Sequence, residues 1–205
     1  MTEKERMLSG KLYIANDEEL KRDFMRSRRL TRLINATTEE QLEERQRLFY
    51  ELLGSAGENC WIETPFHCDY GCHIHVGDNF YANYDCIMLD VCDIHIGNNV
   101  FFGPRVCIYT AGHPIDADVR NTLLEYGKPV RIGDNVWVGG STVINPGVTI
   151  GSNVVIGSGS VVTGDIPDGV VAAGVPCRVI RNITERDKAF WETQAADYYA
   201  DKGEH

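Results

Sequence analysis

The sequence has no long apolar run and no excess of positive charge. No stretch approaches the roughly 20 consecutive apolar residues that cross a bilayer, and Met1–Arg6 leads into no apolar core of a secretory signal. The 205 residues include 30 Asp and Glu against 20 Lys and Arg, which gives a formal net charge of −10. These absences argue against a membrane-spanning protein and against binding of nucleic acid or membranes through bulk positive charge. We expect a cytoplasmic protein.

The seven cysteines form an odd set in a chain without a secretory signal. This count favours reduced thiols over a disulfide framework. With 43% hydrophobic and 24% charged residues, the composition is typical of a globular protein. The length suffices for one substantial core but not for two large domains.

What the sequence does contain is a six-residue repeat. Branched aliphatic residues recur with a period of six at Ile132, Val138, Ile144, Ile150, Ile156 and Val162. A second set of inward candidates follows four residues later in each hexad, at Val136, Thr142, Val148, Val154, Ser160 and Ile166. The turn segments at 133–135 and 151–153 end in Asn135 and Asn153, which tolerate positive φ. Each hexad therefore predicts a short strand followed by a turn.

The same frame extends upstream, with slips of two residues that we interpret as small bulges at coil corners. It includes Ile62, Cys68, Val76, Ala82, Ile96, Phe102 and Ile108. A hexad cannot bury its own apolar face, so hexads must stack, and the period indicates a parallel β-helix with about 18 residues per triangular coil. We predict this all-β solenoid over residues 59–181. The repeat breaks at 113–129, which is predicted to be an excursion loop on the functional face.

The two ends of the chain lack hexads. Residues 1–58 have helical spacing and are predicted to form an α-helical cap on the first coil, with one amphipathic helix over Leu20–Ile34. A second helix is predicted after a capping box of Thr38 and Gln41, with a stop near Gly54. Its buried face is expected to comprise Leu42, Phe49 and Leu53. The tail, residues 182–205, is predicted to contain a helix over 184–199.

Longer motifs carry a resemblance to a known family. They are Met7–Tyr13 (MLSGKLY), Cys68–Gly71 (CDYG), Asn79–Asn83 (NFYAN), Met88–Cys92 (MLDVC), Thr110–Pro114 (TAGHP), Asn135–Gly140 (NVWVGG), Ile144–Gly151 (INPGVTIG) and Ala172–Pro176 (AAGVP). Through them nearly the whole chain resembles the maltose and galactoside O-acetyltransferases, and CDYG and MLDVC look more like the maltose branch. The resemblance implies a left-handed β-helix and a homotrimer with active sites between adjacent subunits. It also implies acetyl transfer from acetyl-CoA to a hydroxyl of a maltose-, glucose- or galactoside-like sugar.

The resemblance assigns His113 as the catalytic base. A sugar hydroxyl is a poor nucleophile at neutral pH, and a histidine with a pKa of about 6.5 can take its proton as it attacks the thioester. The resemblance also implies that Asn83 contacts the acceptor and stabilises the transition state, since a neutral amide can donate to a developing oxyanion. Asp69 and Asp90 match acceptor-side motifs as hydrogen-bond acceptors, although the family's second acceptor-side acid aligns at Val91.

The cofactor side is implied in the same way. The pantetheine arm of acetyl-CoA is expected to pass Trp137, Gly140, Ser158, Thr163 and Gly164, with the nucleotide phosphates near Arg178 and Arg181. Guanidinium groups recognise phosphate with bidentate geometry, which reconciles an acidic protein with a polyanionic ligand.

Two departures from the family pattern affect these expectations. Gly164 stands where the family commonly has a lysine, so one phosphate contact is expected to be missing. The acidic and basic residues of the galactoside branch's N-terminal segment fall on Ala15 and Phe24, with Asp17 as a nearby substitute in acceptor binding.

A zinc enzyme resembling the gamma-class carbonic anhydrases is the alternative from another chemistry. His75, His95 and His113 occupy the same place in the hexad frame, about one coil apart, and a histidine column in a β-helix can hold zinc. The gamma-class pattern includes a pair of histidines a few residues apart, and none follows His113 closely. We therefore expect no metal.

Two further interpretations remain. The cluster over residues 68–75 contains possible ligands, but Cys68 and Cys72 fall on inward positions and, like Cys86, are interpreted as small buried hydrophobes. A non-catalytic β-helix scaffold is disfavoured by His113 and by the long loop.

Overall fold

The hexad-rich part of the chain folds as a parallel β-helix with helices at both ends. The computed structural model describes residues 1–202. The helices are α1 (Glu3–Leu8), α2 (Glu18–Asn35), α3 (Leu42–Leu52), α4 (Ala117–Arg120) and α5 (Glu185–Lys202). Within these residues, no helix has the length and apolar character that crossing a membrane requires. The strands are β1 (Ser55–Ala56), β2 (Trp61–Ile62), β3 (Phe66–Cys68), β4 (Ile74–Val76), β5 (Tyr81–Ala82), β6 (Cys86–Leu89), β7 (Ile94–Ile96), β8 (Phe101–Phe102), β9 (Cys107–Tyr109), β10 (Ala111–Gly112), β11 (Tyr126–Gly127), β12 (Val130–Ile132), β13 (Trp137–Val138), β14 (Val143–Ile144), β15 (Thr149–Ile150), β16 (Val155–Ile156), β17 (Val161–Val162), β18 (Val170–Gly174) and β19 (Cys177–Asn182).

Three parallel sheets form the faces of the β-helix. Face 1 comprises β1, β4, β7, β12 and β15, face 2 comprises β2, β5, β8, β13, β16 and β18, and face 3 comprises β3, β6, β9, β14 and β17. Strand β19 folds back antiparallel on β18. Each coil visits faces 1, 2 and 3 in turn, so the predicted solenoid is confirmed, with about six turns. We call the turn from face 2 to face 3 the 2/3 corner, and the turn from face 3 to the next face 1 the 3/1 corner.

The hexad aliphatics line the interior. Ile96, Ile132 and Ile150 pair in register along face 1, and all are at most 4% exposed. The second inward set is buried as well, and its polar members are satisfied. Thr142 donates its hydroxyl to the Gly139 carbonyl at 2.7 Å, for example. Both sets of inward positions are thus confirmed.

The slips of two residues all lie at the 3/1 corner. Cys68 and Val76, like Met88 and Ile96, are eight residues apart, whereas the inward positions from Ile132 to Val162 follow one another at six. In the last coil the same corner is shorter, because Ile166, which pairs with Ile150, follows Val162 by four residues. In the coil that begins with β7 the same corner carries the excursion loop, between β9 and β12. The loop is closed at its base by antiparallel pairing of β10 with β11. Because insertions accumulate at one corner, that corner has the room to form a site.

Asparagines at the turn from face 1 to face 2 form a ladder along the β-helix. Asn79, Asn99, Asn135 and Asn153 have φ values of 57°, 55°, 56° and 57°. The side-chain amides of the first three donate to the Oδ1 atom of the next, at 2.9, 3.1 and 3.3 Å. Asparagine visits the left-handed region at lower cost than most residues. The positive φ predicted at Asn135 and Asn153 is confirmed.

The N-terminal helices cover the first coil. The predicted helix over Leu20–Ile34 is confirmed as α2, which buries Leu20, Leu30 and Ile34. At its end the Asn35 side chain both donates to and accepts from the backbone of Phe66, each at 2.9 Å, and so caps the edge of β3. These contacts fix the N-terminal segment against face 3.

The predicted start of α3 was wrong. The helix begins at Leu42 after Gln41, which makes no side-chain capping bond; instead, Gln41 Oε1 accepts the Thr38 backbone N–H at 3.0 Å. Leu42 is therefore the first residue of the helix, and the buried residues of α3 begin one turn later. Leu42 is 44% exposed, whereas Phe49 and Leu53 are buried as expected.

The predicted C-terminal helix is confirmed as α5, which starts one residue after Thr184. None of its described residues is buried. Residues 203–205 of the predicted tail lie outside the described residues. The division of the chain into three segments at 58 and 181 and the left hand of the coil stay predictions.

Candidate active site

His113 lies at the base of the excursion loop and is exposed. Its Nδ1 lies 3.3 Å from the Leu124 carbonyl oxygen, on the returning arm of the loop. A carbonyl only accepts, so this contact places the ring proton on Nδ1 and leaves Nε2 as the basic nitrogen. The pairing of β10 with β11, next to both residues, fixes this arrangement.

A cleft of about 240 Å³ opens between the N-terminal segment and the 3/1 corner. We call it the acceptor cleft, and it is lined by Tyr13, Ala15, Leu20, Lys21, Phe24, Asp69, Tyr70, Val91 and Glu125. Its two sides are joined where Tyr13 and Glu125 exchange backbone hydrogen bonds of 3.0 and 3.1 Å. Glu125 directly follows Leu124, the partner of His113. The cleft therefore adjoins the proposed base.

The two predicted acceptor-side aspartates have different environments. Asp69 is half-buried and lines the acceptor cleft, and burial raises the pKa of its carboxyl. Asp90 is 0% exposed, and its carboxylate accepts backbone N–H groups of Asp69, Tyr70 and His73 at 2.9 to 3.2 Å. Burial raises the pKa of Asp90 to about 7. Asp90 therefore fixes the corner that carries Asp69, and this location contradicts the prediction that it contacts the acceptor.

The prediction that Asp17 substitutes in the acceptor site is also contradicted. Asp17 is the N-cap of α2, and its carboxylate accepts the Leu20 backbone N–H at 2.7 Å. A carboxylate at a helix N-terminus is stabilised there. The departures Ala15 and Phe24 do line the cleft, so its wall at these positions is apolar.

Asn83 lies at the other end of face 3, at the 2/3 corner. Its Oδ1 accepts the Tyr84 backbone N–H at 2.8 Å, which orients the side chain and leaves the Nδ2 donor free. It borders a shallow groove with Phe101 and Trp137, whose side chain is 55% exposed. This groove therefore places a hydrogen-bond donor, the Asn83 amide, beside the aromatic side chains of Phe101 and Trp137.

The predicted cofactor residues divide between the two corners. Gly140 and Ser158 follow β13 and β16 at the 2/3 corner, with Trp137 beside them. A Cβ on Gly140 would lie 3.0 Å from the Pro104 carbonyl oxygen, so the backbone there is closely packed. Thr163 and Gly164 follow β17 at the 3/1 corner, where both are exposed. In one chain, face 3 separates these groups by about four extended residues, or roughly 13 Å.

Both predicted phosphate-binding arginines lie on β19 and are exposed. Arg178 donates to the Cys177 carbonyl oxygen at 2.8 Å. Arg181 makes a two-point ion pair with Asp187 of α5, at 2.7 and 2.8 Å. The Arg181 guanidinium thus already has a carboxylate partner, which the sequence did not reveal.

The histidine column of the zinc alternative is not formed. His75 and His95 stack with ring centroids 4.8 Å apart, but the next residue in register on face 1 is Arg131. His113 lies on the loop because the insertion interrupts the hexad frame before it. Among residues 1–202, no three His, Cys, Asp or Glu side chains are grouped so that they could hold a metal ion.

The cysteines of the other possible ligand cluster have separate surroundings. Cys68 and Cys86 are buried in the β-helix core, as predicted. Cys72 is only half-buried, because it lies among the extra residues of the 3/1 corner and packs against the cluster around Tyr13 and Leu20.

Known proteins share both the sequence and this architecture. The maltose acetyltransferase hexapeptide capping motif matches residues 6–57, and the bacterial transferase hexapeptide (six repeats) matches residues 129–164. The crystal structure of a maltose O-acetyltransferase from Clostridium difficile 630 is 59% identical with a TM-score of 0.89, covering 90% of this chain and 98% of that one. A galactoside acetyltransferase in complex with coenzyme A is 46% identical with a TM-score of 0.90, covering 92% and 94%. The galactoside O-acetyltransferase of Escherichia coli K12 is 45% identical over 187 residues, 91% of this chain and 92% of that protein.

The chain belongs to the maltose and galactoside O-acetyltransferases. The resemblance seen in its motifs is thereby confirmed, and the protein is an acetyltransferase. Within this acetyltransferase, the structure adds two residues that the motifs missed. Glu125 and Tyr13 face the acceptor cleft from the loop and from the N-terminal segment. The only sequence signal for Glu125 was its place in the excursion loop, because nothing in the loop sequence shows where its returning arm lies.

Proposed function

We propose that this acetyltransferase moves the acetyl group of acetyl-CoA to a hydroxyl of a sugar, with His113 as general base. The observation that carries the proposal is the free Nε2 of His113 beside a cleft with the hydrogen-bond acceptors Asp69 and Glu125. Sugar hydroxyls donate to such acceptors, so the cleft can orient one hydroxyl towards the base. We also propose the cytoplasm as its location, as the odd set of free cysteines favours.

The chemistry needs one base and one oxyanion donor. As the hydroxyl oxygen bonds to the thioester carbonyl carbon, His113 Nε2 takes its proton, and the Asn83 amide donates to the oxygen that becomes negative. Collapse of this intermediate breaks the carbon–sulfur bond. The proton on His113 then passes to the departing sulfur, which leaves as the free thiol of CoA.

The acetyl-CoA side has a continuous route along face 2. Trp137, Val155, Val171 and Arg181 are in register on successive strands. A pantetheine arm that lies along the exposed Trp137 side chain therefore crosses one strand about every 5 Å on its way to Arg181 and Arg178. The exposed Thr163 and Gly164 would border the arm from the facing subunit.

The division of the predicted site between two corners supports a homotrimer with shared sites. His113 and the acceptor cleft belong to the 3/1 corner, and Asn83 and Trp137 to the 2/3 corner. The two corners of one triangular coil point apart. We propose that the 3/1 corner of each subunit contacts the 2/3 corner of the next subunit, so that three subunits form a closed ring around a three-fold axis.

The test is a screen of neutral hexoses and disaccharides with acetyl-CoA, with release of free thiol as the readout. We expect thiol release that depends on the sugar and an alkali-labile acetyl ester on the product. Thiol release that no sugar accelerates above hydrolysis would overturn the proposal. Recovery of an N-acetyl product from amines alone would overturn the O-transfer assignment.

A further inference from the structure

Two carboxylates face each other across the acceptor cleft. Asp69 comes from the corner of the first coil, and Glu125 from the returning arm of the excursion loop. Both are half-buried. Burial raises the pKa of the Asp69 carboxyl, the Arg28 charge lowers it, and the Glu125 carboxylate raises it. The two acids therefore share one partly desolvated space, where an ionised carboxylate offers hydrogen-bond acceptors but no donors.

A buried hydroxyl in the same cleft lacks a partner. Tyr13 is 1% exposed, and among the described residues its hydroxyl is the buried side-chain polar atom with no hydrogen bond. Buried polar groups are nearly always paired. Burial and the neighbouring Glu125 carboxylate raise the pKa of this phenol, so it stays protonated and can donate to Glu125 or to a bound sugar.

The positive charges near the cleft lie on its exposed side. Lys21 lines the cleft from the exposed face of α2. The Arg28 guanidinium, about two helical turns further along α2, lies 4.5 Å from the centroid of the Phe24 ring and is exposed. Solvent screens these charges more than the half-buried carboxylates. The interior of the cleft is therefore the negative part of it.

We propose that the acceptor cleft selects sugars that carry a positively charged amine and rejects sugars that carry a carboxylate or a phosphate. The proposal rests on the acetyl transfer proposed above and names the charge class of its acceptor. An ammonium group placed between Asp69 and Glu125 donates to both, whereas an anion there meets two like charges. Glu125 is then a specificity-determining residue of the reaction.

The test compares three hexoses that differ in one substituent: glucosamine, glucose and glucuronate. At about pH 6.5 the amine is protonated and does not compete as a nucleophile. We expect kcat/KM to fall in that order, with at least a tenfold gap between glucosamine and glucuronate that resides mainly in KM and narrows at high salt. Alkali-labile acetyl on the product identifies the ester.

Substitutions of the two acids test whether they cause the charge selectivity. In Glu125→Gln and in Asp69→Asn the ratio of kcat/KM for glucosamine to that for glucuronate should fall severalfold. Asp118→Asn, which removes an exposed loop carboxylate on α4 outside the cleft, should leave the ratio unchanged. Similar KM values for all three sugars, or a ratio that neither cleft variant moves, would overturn the charge selection while leaving acetyl transfer intact. No thiol release with any of the three would overturn the proposed function and this inference together.

Discussion

His113 has one ring nitrogen engaged and the other free, which is the arrangement a general base needs. We expect His113→Ala to fold and to bind CoA, and to lose about 10²- to 10⁴-fold in acetyl transfer. Thiol release measures turnover, and calorimetric titration with CoA measures binding. His67→Ala removes an exposed histidine of β3 and serves as the control. Turnover at the wild-type rate in His113→Ala would show that another group takes the proton.

Asp90 is the buried acid whose titration should appear in stability. Its pKa is raised from the ordinary 3.8 to about 7, mainly by burial. Between these values the folded chain holds a proton that the unfolded chain has released, so the Asp90 contribution to stability falls as pH rises. We expect the free energy of unfolding of the wild type, relative to Asp90→Asn, to decrease between about pH 4.5 and pH 7.5. Denaturant unfolding of the wild type and of Asp90→Asn across this range measures the difference in free energy of unfolding. Parallel pH profiles of the two proteins would contradict the expectation.

At the level of single residues, sequence motifs identified positions better than roles. Asp69 and Asp90 lie in motifs of equal quality, yet one lines a cleft and the other is enclosed by backbone N–H groups. The difference depends on how two coils stack, which no local pattern encodes. Asp17 shows the same limit, since a residue three positions before a helical apolar run is as able to cap the helix as to bind a ligand.

Among the structural elements, the asparagine ladder is the one whose stability can be tested most directly. Asn99 combines a φ of 55° with side-chain bonds to Asn79 and Asn135. We expect Asn99→Ala to destabilise the fold by about 1–2 kcal/mol, because alanine is strained in the left-handed region. Asn99→Gly loses the same side-chain bonds without that strain and should cost less.

Thermal or denaturant unfolding of the two variants measures the difference. Asn121→Ala is a matched control, since Asn121 is exposed and has a φ of −67° at the end of α4. Equal losses for Asn99→Ala and Asn99→Gly would mean that the side-chain ladder, and not the backbone conformation, determines the preference for asparagine.

The hexads determined nearly all of the β-helix, because its buried residues are set by a strict period. The sequence predicted the helix boundaries less exactly. The start of α3 was misplaced because Thr38 and Gln41 interact outside the helix, where Gln41 accepts from the Thr38 backbone. No sequence pattern predicted the β10–β11 pairing inside the loop, since two short strands separated by 13 residues leave no periodic signal.

For the whole molecule, the separation of the site between two corners leads to a complementation test. In the proposed homotrimer, His113→Ala alone and Asn83→Ala alone are each expected to be inactive. When the two are refolded together, a site between a chain with intact His113 and a neighbour with intact Asn83 is complete. Random mixing gives about one quarter of sites in this form, so about one quarter of wild-type activity should return. A mixture as inactive as its parents would place both residues of each site in one subunit.

The proposed shared site is also what the sequence could locate only through resemblance. Hexad counting places Asn83 after face 2 and His113 after face 3, so the distance between them within one chain follows from the pattern. Which surface of a neighbour covers each corner depends on the packing of subunits, and the period of the hexads does not specify it.

The free cysteines have a consequence for a protein that liberates a thiol in every catalytic cycle. Five of the seven are buried, and burial raises the pKa of Cys68 and Cys86 to about 12. Exchange with disulfides proceeds through the thiolate, which these sulfurs do not form at neutral pH. The disulfide of CoA can therefore accumulate in solution without forming mixed disulfides with these buried cysteines. Cys72 and Cys107, both half-buried, are left as the positions at which a mixed disulfide or a spectroscopic label can attach.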